Sequence, residues 1–137
     1  MKHTSKSSLL QECTFNKKRS STSLLVSVKT IGRLWYCKPC CARWFVTFDG
    51  QECSSPAQID QIMTNYEIDD KSWSPFTFRG ICRINRSGNI KVALRLGPCN
   101  GTGNGIKKES KDPDTGEKVV TNSIIIEEVE NFRWIHV

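Results

Sequence analysis

The cleanest alternation in the chain runs from Asn89 to Leu96. Ile90, Val92, Leu94 and Leu96 fall on one side, and Lys91, Ala93 and Arg95 on the other. A period of two predicts a half-buried strand of an antiparallel sheet. The stretch from Pro75 to Ile84 repeats the pattern, with Phe76, Phe78, Cys82 and Ile84 set against Thr77, Arg79 and Arg83. Between Ala42 and Phe48, Trp44, Val46 and Phe48 share a face while Phe45 and Thr47 take the other, and the Asp49-Gly50 pair that follows predicts a hairpin. Residues 23–28 and 31–36 are also β-rich. Residues 118–129 return to strand, where the run Ile124-Ile125-Ile126 predicts burial on both faces. Residues 54–63 fit either of two forms: a short helix capped by Ser55, with Pro56 first and Ile59 and Ile62 on one face, or an extended segment. Residues 66–74 and the glycine-rich residues 100–118 read as loops, and residues 132–137 as a last strand or an apolar arm.

No long helical period and no internal repeat is visible. About eight short strands at regular spacing predict an all-β fold, an antiparallel sandwich or barrel. Residues 1–11, rich in Ser, Lys and Thr, read as a disordered lead-in, and residues 12–137 as a single domain.

Composition changes this picture in one respect. Hydrophobic residues make up 37% of the 137, so the core is modest. Seven cysteines are available to staple it, four of them between Cys37 and Cys53. Three readings compete for that cluster. Cys37, Cys40, Cys41 and Cys53 count as four zinc ligands, but there is no second knuckle, and adjacent Cys40 and Cys41 point to opposite faces of a strand. A thioredoxin-type pair needs a helix after Cys-x-x-Cys, and Trp44 to Phe48 is strand. Disulfides are favoured. Cys40 and Cys41 would then send two bridges in different directions, one across the sandwich and one to its flank. Cys13, Cys82 and Cys99 complete the set. Seven is odd, which leaves one thiol to bridge to another chain.

Charge adds a possible ligand. The net charge is +6. Lys2, Lys6, Lys17, Lys18, Arg19, Lys29 and Arg33 meet Glu12 as the single acid in the N-terminal arm. Such an arm attracts phosphates, sulfated glycans or anionic lipids, although a solvated surface is the commoner use of such charge. Catalysis is poorly provided for. His3 and His136 lie near the ends, and no nucleophile has a base beside it. Gly101 to Gly105 opens no helix, which makes it a weak phosphate loop. Glu127 and Glu128 read as surface charges or salt-bridge partners. Trp35, Trp44, Trp73 and Trp134 read as packing residues rather than a base-stacking platform. The expectation is a non-enzyme with no cofactor, no metal and no nucleic-acid partner. No apolar run is long enough to span a membrane. The start lacks the look of a signal peptide and taken literally reads as cytosolic. The cysteines and the sequons at Asn85 and Asn100 argue the opposite, as expected of a fragment of a secreted chain.

Three groups of residues carry a family likeness. They are Glu12-Cys13-Thr14-Phe15; Cys40-Cys41-x-Arg43-Trp44 with Thr47-Phe48-x-Gly50-x-Glu52-Cys53; and Cys82, Val92-Ala93, Gly97-x-Cys99 and Ile124 to Glu128. On these the chain resembles the C-terminal domain of the collagen triple helix repeat-containing protein 1 family, over residues ~12–129, with all seven cysteines where that domain has them. The resemblance implies a disulfide-stapled jelly roll of the C1q/TNF-like kind. It implies a secreted, glycosylated, collagen-associated matrix protein whose heads form homotrimers and which takes part in Wnt and Frizzled signalling. It brings no catalytic residue. The chain has no Gly-X-Y repeat and none of the family's upstream cysteines, so a missing upstream partner would account for the odd thiol.

The expected function is a trimeric head that binds matrix or Wnt/Frizzled-pathway partners, with Ile124 to Ile126, Trp134 and Ile135 serving core and subunit interface. A second expectation is a heparin-like glycan binder using Lys17, Lys18, Arg19, Lys107, Lys108 and Lys111. A third is a cytosolic zinc protein.

Overall fold

A computed structural model describes residues 7–32, 41–64, 74–99 and 122–131. The elements there are all strands: β1 (Ser8–Lys17), β2 (Thr22–Gly32), β3 (Cys41–Phe48), β4 (Gln51–Glu52), β5 (Asp60–Thr64), β6 (Ser74–Arg83), β7 (Gly88–Pro98) and β8 (Ser123–Glu130). They form two antiparallel sheets. One runs β1-β7-β3-β4, with β5 also paired to β3; the other runs β6-β2-β8. The antiparallel sandwich expected from the alternation is the fold observed.

The period of two places the core. Leu24, Val26 and Val28 of β2, Trp44 and Val46 of β3, and Ile90, Val92 and Leu94 of β7 are nearly or fully buried in a single cluster. Each side chain of this kind contributes about 1.5–3 kcal/mol on burial. Trp44 meets Phe76 edge-on at 5.0 Å between ring centroids, and Phe76 stacks on Phe78 at 6.3 Å.

The Asp49-Gly50 hairpin forms as its sequence predicts. Both residues have positive φ, 55° and 87°, the backbone a tight two-residue turn requires. Asp49 also ties the turn to β7. Its amide donates to the Lys91 carbonyl at 2.8 Å, and its carboxylate accepts from the Lys91 amide at 2.9 Å and from the Arg86 guanidinium. The Lys91 N–H first, and Arg86 after it, hold the Asp49 carboxyl below its ordinary range.

β4 and β5 occupy the same edge of β3, with residues 53–59 leaving the sheet between them. That segment closes one long side of the sandwich. Cys53 bonds Cys82 of β6, Pro56 bridges Cys82, and the Arg83 amide donates to the Ser55 carbonyl at 2.8 Å. Ile59 packs so close to Gly80 that a Cβ there would lie 2.7 Å from Ile59 Cγ1. Gly80 is therefore required by close approach. The second bridge, Cys41–Cys99, joins the neighbouring ends of β3 and β7 within one sheet. The bridges span 58 and 29 residues, worth roughly 3.5–4 kcal/mol each in the chain-entropy account.

The opposite long side is closed by polar groups. β1 crosses to β2 over residues 18–21, and Glu128 of β8 caps the crossing. Its carboxylate accepts from the Lys18 amide at 2.8 Å, the Arg19 amide at 3.0 Å and the Thr22 hydroxyl at 2.5 Å. These donors, the Lys18 N–H foremost, pull the Glu128 carboxyl down to about 2. The Arg19 side chain pairs with Glu130. At the ends of β8, the hydroxyls of Thr30 and Ser23 in β2 bond Asn122 and Asn131.

Two expectations change, and one alternative left open is decided. Residues 8–11, read as lead-in, are strand, because pairing with Leu94 to Leu96 of β7 supplies what their own composition does not, with a register shift between Leu9 and Gln11. Of the two forms open to residues 54–63 the extended one is observed: Ser55-Pro56 is cis and the chain is extended into β5. The three isoleucines are not buried on both faces. Among the described residues β8 is an edge strand; Ile124 and Ile126 turn to the core, and Ile125 is 61% exposed.

Candidate interaction surface

The cysteine cluster does not gather into a site. Cys41 bonds Cys99 and Cys53 bonds Cys82, so two of the four candidate zinc ligands are committed to sulfur–sulfur bonds in different parts of the fold. The tie across the sandwich, expected from Cys40-Cys41, comes from Cys53, and Cys41 supplies the tie to the flank. Cys37 and Cys40 lie outside the described residues. Among the described residues Cys13 is the cysteine with a free thiol. It sits half-buried on the core side of edge strand β1, where burial first and Glu12 second push the thiol up from its ordinary range.

The basic candidates disperse as well. Lys17 is 1% exposed, with its ammonium donating to the Arg19 carbonyl at 2.5 Å. Burial lowers its pKa, and Glu128 opposes that effect. Lys17 therefore does not present its charge to a glycan. The alternation puts it on the inward side of β1, where the crossing to β2 covers it. Arg19 is exposed but paired with Glu130, and Lys18 is exposed. Lys107, Lys108 and Lys111 lie outside the described residues. Asn85 is exposed in the turn between β6 and β7, and Asn100 lies outside.

What the register does bring together are two outer faces of unlike character. On the β3–β5 side of the five-stranded sheet the charges are paired. The Arg43 guanidinium donates to Glu52 at 2.9 and 2.5 Å and to Asp60 at 2.7 Å, and it lies 4.6 Å from the Phe45 ring centroid. These partners, Glu52 foremost, hold Arg43 above its ordinary value. The cross-strand pairs Arg43↔Ile62, Phe45↔Asp60 and Thr47↔Glu52 build this closed cluster.

The outer face of the three-stranded sheet is different. Two rows cross it: Arg79–Ser27–Ile125 and Ile81–Leu25–Glu127. Val129 and Lys29 stand above and below on the same side. Leu25, Ile81 and Val129 are half-buried, and Ile125 is exposed. Among the described residues, Lys29, Arg79 and Glu127 are exposed and none has an ion-pair partner. The face is an apolar centre with a basic flank on β6 and an acidic flank on β8. Such a composition fits recognition rather than chemistry.

The CTHRC1 C-terminal domain family matches residues 1–125. The chain belongs to this family. No solved structure matches it. Membership and the disulfides fit a secreted matrix or signalling protein.

The CTHRC1-type motif residues fall largely on one sheet. Arg43 and Glu52 meet as the ion pair, Thr47 to Gly50 make the hairpin, and Val92-Ala93 and Gly97 lie on β7 beside β3. The outer face of the three-stranded sheet, apart from β8, lies outside those motifs. Sequence reading found Ile125 and Glu127 but not Leu25, Lys29, Arg79 and Ile81 as their neighbours. The signal was the outward half of each alternation, and it takes the β6-β2-β8 register to assemble them.

Proposed function

We propose that this domain is a secreted, non-enzymatic head that self-associates as a homotrimer and displays one surface in several copies to matrix or Wnt/Frizzled-pathway partners. The observation that carries the reading is the outer face of the three-stranded sheet, apolar at its centre, with Arg79 and Glu127 exposed on its flanks and without an ion-pair partner among the described residues, on a disulfide-stapled CTHRC1-type domain. Display of repeated copies raises weak contacts by about 10²–10⁴ in avidity when geometry allows simultaneous engagement. The reading requires no cofactor. Light scattering on the oxidised chain tests it: a trimer is expected, and a monodisperse monomer overturns it. Immobilised Frizzled-type ectodomain and fibrillar collagen then separate the two partner classes.

A sulfated-glycan reading is supported by the pI near 9.0 and by exposed Lys18, Lys29 and Arg79. It is weakened by the burial of Lys17 and the engagement of Arg19. Retention on heparin that persists above physiological ionic strength supports it, and elution at or below that strength overturns it.

A further inference from the structure

We propose that the outer face of the β6-β2-β8 sheet is a two-fold docking surface for a second copy of this chain. The inference rests on the self-association reading and specifies a contact that reading does not contain.

The argument is one of charge and symmetry. The face carries basic groups, Arg79 and Arg83, on the β6 flank and its acidic group, Glu127, on the β8 flank, with Leu25 on the central strand between them. A two-fold axis running along β2 preserves strand direction and exchanges the flanks. Leu25 then meets Leu25 of the second copy, and the basic flank of each chain lies over the acidic flank of the other. Arg79 and Glu127 stand one row apart, about 7 Å along the strand, a span an extended guanidinium covers. The same operation produces two equivalent Arg79–Glu127 pairs, one on either side of an apolar centre of Leu25, Ile81 and Ile125. The alternative axis, perpendicular to the strands, would lay Glu127 on Glu127. Lys29 lies two rows from Leu25 at the rim, where the usual inclination of packed sheets, about 30°, carries its two copies apart.

An apolar centre with complementary flanks is what a self-complementary interface requires, and a partner of one charge sign would satisfy only one flank. The β3–β5 part of the five-stranded sheet cannot serve in this way, because Arg43, Glu52 and Asp60 already satisfy one another.

Sedimentation equilibrium of the full oxidised chain tests the contact. As concentration rises, the trimer is expected to pair face to face into six copies through this contact. Arg79→Glu and Glu127→Arg should each weaken the two-copy step by about ten-fold or more, since each breaks both symmetric pairs. The double variant R79E/E127R should restore it to within a few-fold. Far-ultraviolet circular dichroism and disulfide content check that each variant is folded. For the unaltered chain, association should weaken as salt rises. A trimer indifferent to either swap overturns the inference and leaves the self-association reading standing. A monomer at all concentrations overturns both. Failure of the double variant to recover, with the single variants impaired, shows that the two residues do not meet and also overturns the inference.

Discussion

The two long sides of the sandwich solve one problem with different chemistry. Two sheets that share a modest core must be kept from sliding or opening. Along the β5–β6 side the lock is covalent and apolar: Cys53–Cys82, Ile59 against Gly80, and a backbone bond from Arg83 to Ser55. Along the β1–β8 side it is polar, with one carboxylate accepting two hydrogen bonds from the crossing and a third from Thr22 at the start of β2, beside a neighbouring ion pair. The first lock depends on redox state and shape, the second on protonation. The domain therefore has two separable sensitivities, one on each side.

The largest break in that contrast comes from sulfur. The double variant Cys53→Ala/Cys82→Ala removes the 29-residue closure and is expected to cost about 3.5 kcal/mol in denaturant unfolding without reductant. If it costs less than about 1 kcal/mol, the covalent side is not a lock. Next is shape. Gly80→Ala forces a methyl against Ile59 and should cost about 1–3 kcal/mol, and Ile59→Ala in the same chain should recover part of that loss. Strict additivity of the two changes would contradict the contact.

The third test is on the polar side. Glu128 is held at about 2 in the fold, below its ordinary value near 4.5. A carboxyl with a depressed folded value contributes stability that is fully present above the ordinary value and is lost as pH falls toward the folded one. Thermal unfolding of the native chain should therefore drop between pH 4.5 and 2, and Glu128→Gln should flatten the curve in that window. Cys53→Ala/Cys82→Ala should leave its slope unchanged. The smallest effect is expected from Arg19→Ala, an exposed pair with Glu130, at about 0.2–1 kcal/mol and vanishing in salt.

Much of the fold was legible because period two is a strong signal where one face is buried and the other wet. β3, β6 and β7 carry it cleanly, and their inward sets are the ones observed. Legibility fails where neighbours decide. Ser8 to Gln11 have little strand character of their own, yet β7 offers them a partner. A run of three isoleucines reads as doubly buried, but at an edge only every second one turns inward. Lys17 looks solvated by type and is buried by the crossing that follows it. The disulfide partners could not be chosen from spacing, because Cys53 leaves its sheet through a break between β4 and β5 that has no sequence signal of its own. The open recognition face was the least legible feature of all. Its members are the outward residues of three strands far apart in the chain, and only the register makes them neighbours.

The nesting of the two bridges has a consequence for durability. Cys53–Cys82 lies wholly inside the loop closed by Cys41–Cys99. A protease that cuts once anywhere between residues 41 and 99 therefore liberates no fragment, since the two pieces remain tied by at least one bridge. A molecule scarred in this way keeps its mass until a reductant reaches it. In a protease-rich setting outside the cell, a nick in this stretch leaves both halves in place, so its first cost is a more open chain rather than a lost piece.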